Sequence, residues 1–359
     1  MISLKSRPLT TCCDDNSTVG SRLDFIDAAK VFGIFCVVYA HTQLYEPLQS
    51  FIYVFHMPLF FFVSGFLFSY KRNASYGRFV RKRTHQLIVP YIAINLITYF
   101  FWLLIARHVG DGDDSALPVL EPLIAAALGN GGDMVHDVPL WFLLCLFIIE
   151  VLYYPLFGGV EGRRCRFSLI AAIASLAVVN YLFNPVLLPF SFGTVLTGMV
   201  FYALGHEAAM SGLRFNNVLL ALLSALTVVI VSIVNGRINM HINYYGNICL
   251  FPIGGLAGVY ASLALSRCIS RFIERRVAIR RFVRFVSSNT LYLCGFHLMC
   301  FTFLKGILVY IFHYDIHQLN STIFGNLLFC IVAMLICLSA IWLVKFTFQK
   351  ALHGGERDA

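Results

Sequence analysis

The sequence predicts an all-α, polytopic integral membrane helix bundle of about ten transmembrane helices with both termini cytoplasmic. Three observations carry this reading. Of the 359 residues, 59% are hydrophobic and 13% charged, about half the ~25% charged content of an average soluble domain, which excludes an ordinary soluble enzyme. The apolar residues run in nearly unbroken blocks such as 140–156 and 218–234, whereas the strands of a membrane barrel alternate polar and apolar positions. Basic residues collect in alternate connections between the blocks, and that asymmetry sets orientation. Ten helices of about 20 residues would use a little over half the chain.

The first span, 28–45, follows a segment whose mixed charges, with Asp14, Asp15 and Asp24 among the basic residues, do not resemble a cleavable signal peptide. Residues 1–26 are therefore expected to be a cytoplasmic tail. A tight turn around 46–49 leads into the second span, 51–70. The third, 87–106, is preceded by the connection 71–86, with six Lys or Arg. The fourth, 138–157, is joined to the fifth, 167–184, across Arg163, Arg164 and Arg166. The sixth and seventh, 193–208 and 216–235, flank a connection holding Arg214. After the eighth, 247–266, residues 267–289 carry seven arginines. The ninth and tenth spans, 290–312 and 324–348, close the set. The outer connections hold only Arg107 and Arg237, and 107–137 carries Asp111, Asp113, Asp114, Glu121, Asp133 and Asp137. This distribution puts the basic connections and both termini inside.

One integral domain, 27–350, is expected, with 351–359 a short cytoplasmic tail; no repeat or second domain is evident. Membrane topology accounts for much of the net charge of +9, so no nucleic-acid partner is expected. Of eleven cysteines, Cys12 and Cys13 lie in the tail and most others within spans, with no CxxC pair or Cys/His cluster of zinc-like spacing. They read as small buried hydrophobes, and no metal is expected.

Ionisable residues at membrane depth are functional candidates by default, and the first hairpin is rich in them. Lys30 and His41 are eleven positions apart, about 20° past three full helical turns, so they share a face roughly 16 Å apart along the axis. His56 lies on the return helix, at a similar outer depth to His41. Imidazole titrates near neutrality and can accept a hydroxyl proton. The plainer reading makes Lys30 a snorkelling residue paired with Asp27 and the histidines packing groups. Glu150, deep in the fourth span, is a candidate on physical grounds alone. In the basic connection, Arg78, Arg81, Lys82 and Arg83 precede His85; arginine forks suit phosphate oxygens, so a cytosolic ligand such as a coenzyme A thioester would find counter-charges there. The basic run 267–284 reads instead as a surface-lying helix facing anionic lipid.

Several stretches resemble the acyltransferase family 3 of bacterial integral-membrane O-acyltransferases, especially its fucose 4-O-acetylase-like branch. They are Ile26-Asp27-Ala28-Ala29-Lys30 followed by His41; Phe55-His56-Met57-Pro58-Leu59-Phe60-Phe61-Phe62-Val63-Ser64-Gly65-Phe66; the basic run into Leu87-Ile88-Val89-Pro90-Tyr91; Leu140-Trp141-Phe142-Leu143; Tyr245-Gly246-Asn247; and Ser288-Asn289-Thr290-Leu291-Tyr292 leading to His297. The resemblance covers about residues 22–345.

It implies acyl transfer, usually acetyl from acetyl-CoA, to a hydroxyl of a cell-envelope glycan such as a polysaccharide, often while the sugar is lipid-linked. The implied location is the bacterial cytoplasmic (inner) membrane. Lys30 and His41 fall on the family's essential pair, a basic residue, ten intervening positions and a histidine. The family commonly has arginine where this chain has Lys30, and an RxxR pair just before Leu-x-x-Pro; here Arg83 is followed by Gln86, with Arg78 and Arg81 forming another RxxR. In the implied mechanism His41 removes the acceptor proton or first takes the acyl group. Lys30 positions the donor or stabilises negative charge. His56 orients the acceptor or the base. Trp141 stacks on a sugar face or anchors at the interface, while Asn247 and His297 offer polar contacts in the cavity or make ordinary interhelical hydrogen bonds. Two other classes use similar residues: a secondary transporter, which usually carries an internal repeat, and a non-catalytic membrane component of glycan assembly.

Overall fold

In the computed structural model, which describes residues 16–42, 44–73, 75–109, 117–129, 132, 134–183, 188–314 and 322–354, the chain forms twelve helices and no extended strand among the described residues. They are α1 (Asn16–Ala40), α2 (Glu46–Leu67), α3 (Tyr76–Ala106), α4 (Glu121–Leu128), α5 (Val138–Gly158), α6 (Arg163–Phe183), α7 (Phe192–Met210), α8 (Val218–Val234), α9 (Leu250–Glu274), α10 (Val277–Ser288), α11 (Thr290–Ile311) and α12 (Ile323–Gly354). Each expected span falls on a helix. Seven of them, α2, α3, α5, α6, α9, α11 and α12, are long and apolar enough to cross a membrane, which makes this a multi-pass membrane protein. Outside that group, α1 carries Asp24, Asp27 and Lys30, α7 carries His206 and Glu207, and α8 has only 17 residues.

Several boundaries differ from expectation for local reasons. Helix α1 begins at Asn16, inside the expected tail, and ends at Ala40, so His41 sits in the following turn, its N–H on Val38 O at 3.2 Å. The basic connection 71–86 is largely the N-terminal end of α3, because Arg and Lys are good helix formers. Where α3 meets Pro90 it widens: proline cannot donate to Gln86 O and its ring crowds that carbonyl, and Val89 N–H reaches back five residues to Thr84 O. The arginine-rich 267–289 is helical as well, split between the end of α9 and the amphipathic α10. Val283 and Val286 of α10 are buried, while Val277, Ile279 and Phe282 are exposed beside its arginines.

The core forms around α2, which packs against α1, α7, α8 and α9. Glycines let α2 and α7 approach to backbone contact: a Cβ on Gly65 would lie 1.8 Å from Tyr202 O, and one on Gly205 2.0 Å from Phe62 O. Small residues of this kind permit close helix crossings where the hydrophobic effect offers no drive between helices. At the end of the bundle where α1 meets α10, Arg284 pairs with Asp24 at 2.8 Å and Ser287 Oγ donates to Asp27 Oδ1 at 2.6 Å. Lys345 Nζ of α12 donates to Asn289 Oδ1 at 2.6 Å, so the motif asparagine joins the last helix to the α10–α11 corner.

Candidate active site

The α1–α2 hairpin turns one face toward α5, α11 and the 238–241 segment, and between them lies a cavity of about 250 Å³. Lys30, His41, Tyr53, His56, Trp141 and His241 line it, set among apolar walls that include Ile34, Val37, Met57, Phe60 and Leu146. Lys30 and His41 thus reach the same space, as their spacing predicts, even though the last of the eleven steps leaves the helix. The tight packing of α2 on α7 fixes the opposite side of α2, so His56 is held toward the cavity by backbone rather than by loop geometry.

His41 and His56 line the cavity, and His297, which does not, lies behind His41. His56 Nδ1 donates to Ile52 O at 2.9 Å, leaving Nε2 with a lone pair. Tyr53 packs on the His56 ring at 5.1 Å between centroids. His297 is fully buried, and its Nδ1 faces the carbonyls of Leu293 at 3.0 Å and Cys294 at 2.9 Å. Carbonyls only accept, so Nδ1 carries the proton, and the buried Nε2 is a bare lone pair with no hydrogen-bond partner. The His41 and His297 rings are 5.2 Å apart; His297, His56 and His241 are the charged-state neighbours of His41. His241, in the connection after α8, is pushed down to about 4, first by burial and then by Arg237.

At the other end, Lys30 has Asp27 and Arg83 within electrostatic range. Asp27 does not line the cavity; its carboxylate is turned to Ser287. Arg83 is the one member of the basic run directed inward, with Nε 2.8 Å from Glu150 Oε2 in an ion pair not aligned as a hydrogen bond. Its Nη1 donates to Gln86 Oε1 at 2.8 Å, so Gln86, where the family commonly has arginine, is a partner of Arg83. Arg78, Arg81 and Lys82 are exposed on the outside of α3. Glu150 is 2% exposed, one turn past the cavity-lining Leu146.

Asn247 lies outside the cavity: it is exposed, and its Oδ1 accepts from Cys249 N at 2.9 Å and Leu250 N at 3.2 Å, capping α9. Trp141 is buried in the wall, its ring 6.4 Å from that of Phe61. Tyr53 and His241 are lining residues that sequence reasoning missed. Tyr53 sits three positions before His56, the spacing that could have revealed it; His241 stands in a connection without periodicity. Asp137 was also overlooked. It is fully buried with neither oxygen hydrogen-bonded, burial pushes its carboxyl well up, and it immediately precedes the lining residues Val138 and Pro139. Beside it, His136 Nε2 and Asn95 Oδ1 are 3.0 Å apart. Among the described residues no group of three His, Cys, Asp or Glu is placed to hold a metal ion.

The chemistry this arrangement can do is proton transfer to an imidazole base in a mostly apolar chamber, with Lys30 the cationic side chain in its lining. A family model for acyltransferase family 3, described as an acyltransferase domain, matches residues 23–342. No curated protein and no solved structure matches the chain.

Proposed function

The chain belongs to acyltransferase family 3, and from that membership we propose a membrane O-acetyltransferase of the bacterial inner membrane, of the fucose 4-O-acetylase-like branch. It would carry an acetyl group from cytosolic acetyl-CoA to a hydroxyl of an envelope glycan or lipid-linked sugar. One observation carries this reading: a single cavity joins Lys30 at its inner end to His41 and His56 further out. In this reading all ten long helices span, both termini are cytoplasmic, and the arginine-rich inner end of α3 faces the cytosol.

The donor's phosphates meet Arg78, Arg81 and Lys82 on exposed α3, and its pantetheine arm passes Lys30 into the cavity. Lys30 and His41 are roughly 16 Å apart along α1, too far for both to touch one carbonyl, so Lys30 is assigned to the donor arm and His41 to the reacting hydroxyl. Arg83, occupied by Glu150 and Gln86, positions the inner end of α3 instead of holding phosphate. His41 accepts the hydroxyl proton as the oxygen attacks the thioester carbon; the C–S bond breaks and the thiolate takes up that proton. His297 is assigned as a positioning residue: its ring lies 5.2 Å from that of His41, and its unpartnered Nε2, brought onto His41 when substrate binds, would favour the tautomer that keeps the other His41 nitrogen unprotonated toward the substrate. His56 Nε2 accepts from the sugar, and Trp141 offers an aromatic wall for its face.

The test compares envelope glycans by mass spectrometry in cells lacking the protein, with wild type, or with His41→Ala. An acetyl-sized mass gain confined to wild type is the expected result, and the same gain with His41→Ala would remove His41 from the reaction. A transporter of free sugar would show no thermal protection of the purified protein by acetyl-CoA, whereas a donor-binding enzyme gains apparent stability.

A further inference from the structure

On the face of the hairpin opposite the catalytic cavity, α1, α2, α8 and α9 enclose a second space of about 430 Å³, within the ~300–1,000 Å³ range of ligand pockets. Its walls are almost wholly apolar. Small residues, Ala221 and Ala225 of α8 with Gly258 and Ala261 of α9, leave a slot whose floor is aromatic. Phe32 stacks on Phe55 at 6.1 Å, and Phe51 meets Phe55 edge-on at 5.6 Å. The slot closes where α9 touches α2: a Cβ on Gly258 would sit 2.2 Å from Phe55 Cβ.

The opposite end is polar and positive. Arg267 and Arg271, one turn apart on α9, line it together with Asn216 and Asn217, and among the described lining residues there is no Asp or Glu. Arg267 is steadied over the Phe25 ring at 5.4 Å, and Arg271 is exposed. From Arg271 to Gly258 is thirteen residues, roughly 20 Å of helix, somewhat more than half the ~30 Å hydrocarbon core. The slot is therefore one leaflet deep, apolar along its length and cationic at the headgroup level.

We propose that this slot binds one acyl chain of an anionic glycerophospholipid, with the headgroup phosphate between Arg267 and Arg271. Guanidinium forks match phosphate oxygens in a weakly hydrated setting, and the absence of acidic groups in the lining favours a headgroup of net negative charge. The site shares no lining residue with the catalytic cavity and does not depend on the proposed activity.

The test is native mass spectrometry of delipidated, detergent-solubilised protein titrated with phosphatidylglycerol or phosphatidylcholine. One phosphatidylglycerol should be retained at concentrations that leave phosphatidylcholine unbound. Arg267→Gln with Arg271→Gln should weaken retention about ten-fold, the loss expected for a charge-assisted hydrogen bond. Ala225→Trp, which fills the slot from exposed α8 without touching an arginine, should abolish it while thermal unfolding in lipid-free detergent stays at the wild-type value. Arg280→Gln with Arg281→Gln on α10 should change nothing. Equal retention of phosphatidylcholine, retention that survives Ala225→Trp, loss caused by the α10 pair, or displacement by equimolar polyprenyl phosphate would each overturn the proposal.

Discussion

Replacing His297 separates orientation of the base from its chemistry. His297→Leu keeps apolar volume in a fully buried site but removes an imidazole whose ring centre lies 5.2 Å from that of His41 and whose Nε2 lone pair has no other partner. The carbonyls of Leu293 and Cys294 keep their helical partners, so the backbone loses little. What disappears is one hydrogen-bonding opportunity for His41, worth about 0.5–1.5 kcal/mol net, or about two- to twelve-fold in turnover. His41→Ala should cost far more, about 10²–10⁴-fold, because the proton acceptor itself is gone. His297→Gln puts an amide oxygen near the Nε2 position and should recover most of the wild-type rate. The assay follows thiol release from acetyl-CoA by purified protein supplied with envelope glycan extract, across pH 5 to 9. The leucine variant should lower turnover with little change in the KM for acetyl-CoA and should shift the acid limb of the pH profile. Wild-type turnover with Leu, or Gln no better than Leu, would refute the orientation argument and leave His297 a packing group.

Lys30→Arg should retain more activity than Lys30→Ala, and the alanine variant should raise the KM for acetyl-CoA more than it lowers kcat; equal loss in both would point to shape at that position. Glu150→Gln strands Arg83, and since breaking a buried pair costs ~3–5 kcal/mol but the Arg83 side chain is 25% exposed, a loss of about 1–2 kcal/mol after screening is expected. The double variant with Arg83→Gln should be less destabilised than Glu150→Gln alone in thermal unfolding. Gly65→Ala forces a methyl onto Tyr202 O, so it should exceed the ~1–3 kcal/mol of ordinary overpacking and fail to accumulate as folded protein; normal yield and melting would contradict the backbone contact. His241 binds its proton near 6.5 when unfolded and near 4 when folded. The unfolded chain therefore gains the proton first on acidification, and its contribution to stability is complete above about pH 6.5 and lost as pH falls toward 4. His241→Gln should flatten that slope in melting measured against pH.

The sequence made the helices legible because apolar blocks of membrane length leave little alternative, and it made the Lys30–His41 relation legible because ten of the eleven steps between them run along one helix. Relations across the fold were harder. Glu150 could be flagged as costly at depth, but its partner Arg83 sits on a helix 67 positions earlier, and periodicity says which face a residue occupies without saying which face it meets. His297 could be placed on a motif, yet its contact with His41 depends on how α11 rotates against α1. Asn247 carried a motif signal that its structure explains locally, as the cap of α9. Asp137 was read as one acid among several in an outer connection, and nothing in its neighbours signals that the chain folds it inward. The slot beside α9 was hidden for a different reason: alanine and glycine in an apolar block look like ordinary span residues until two such helices face each other.

The widened turn at residues 84–88 has a genetic corollary. A helix accommodates one surplus residue there, so loss of a single codon in that stretch would restore regular winding and carry everything upstream about 100° around the axis. Arg83 would swing off Glu150, and the cationic patch of Arg78, Arg81 and Lys82 would point to a different sector around the bundle. Homologues differing by one residue at this point should therefore show compensating changes at the position of Glu150, and chains that lack the surplus residue should carry their basic residues at other helical positions.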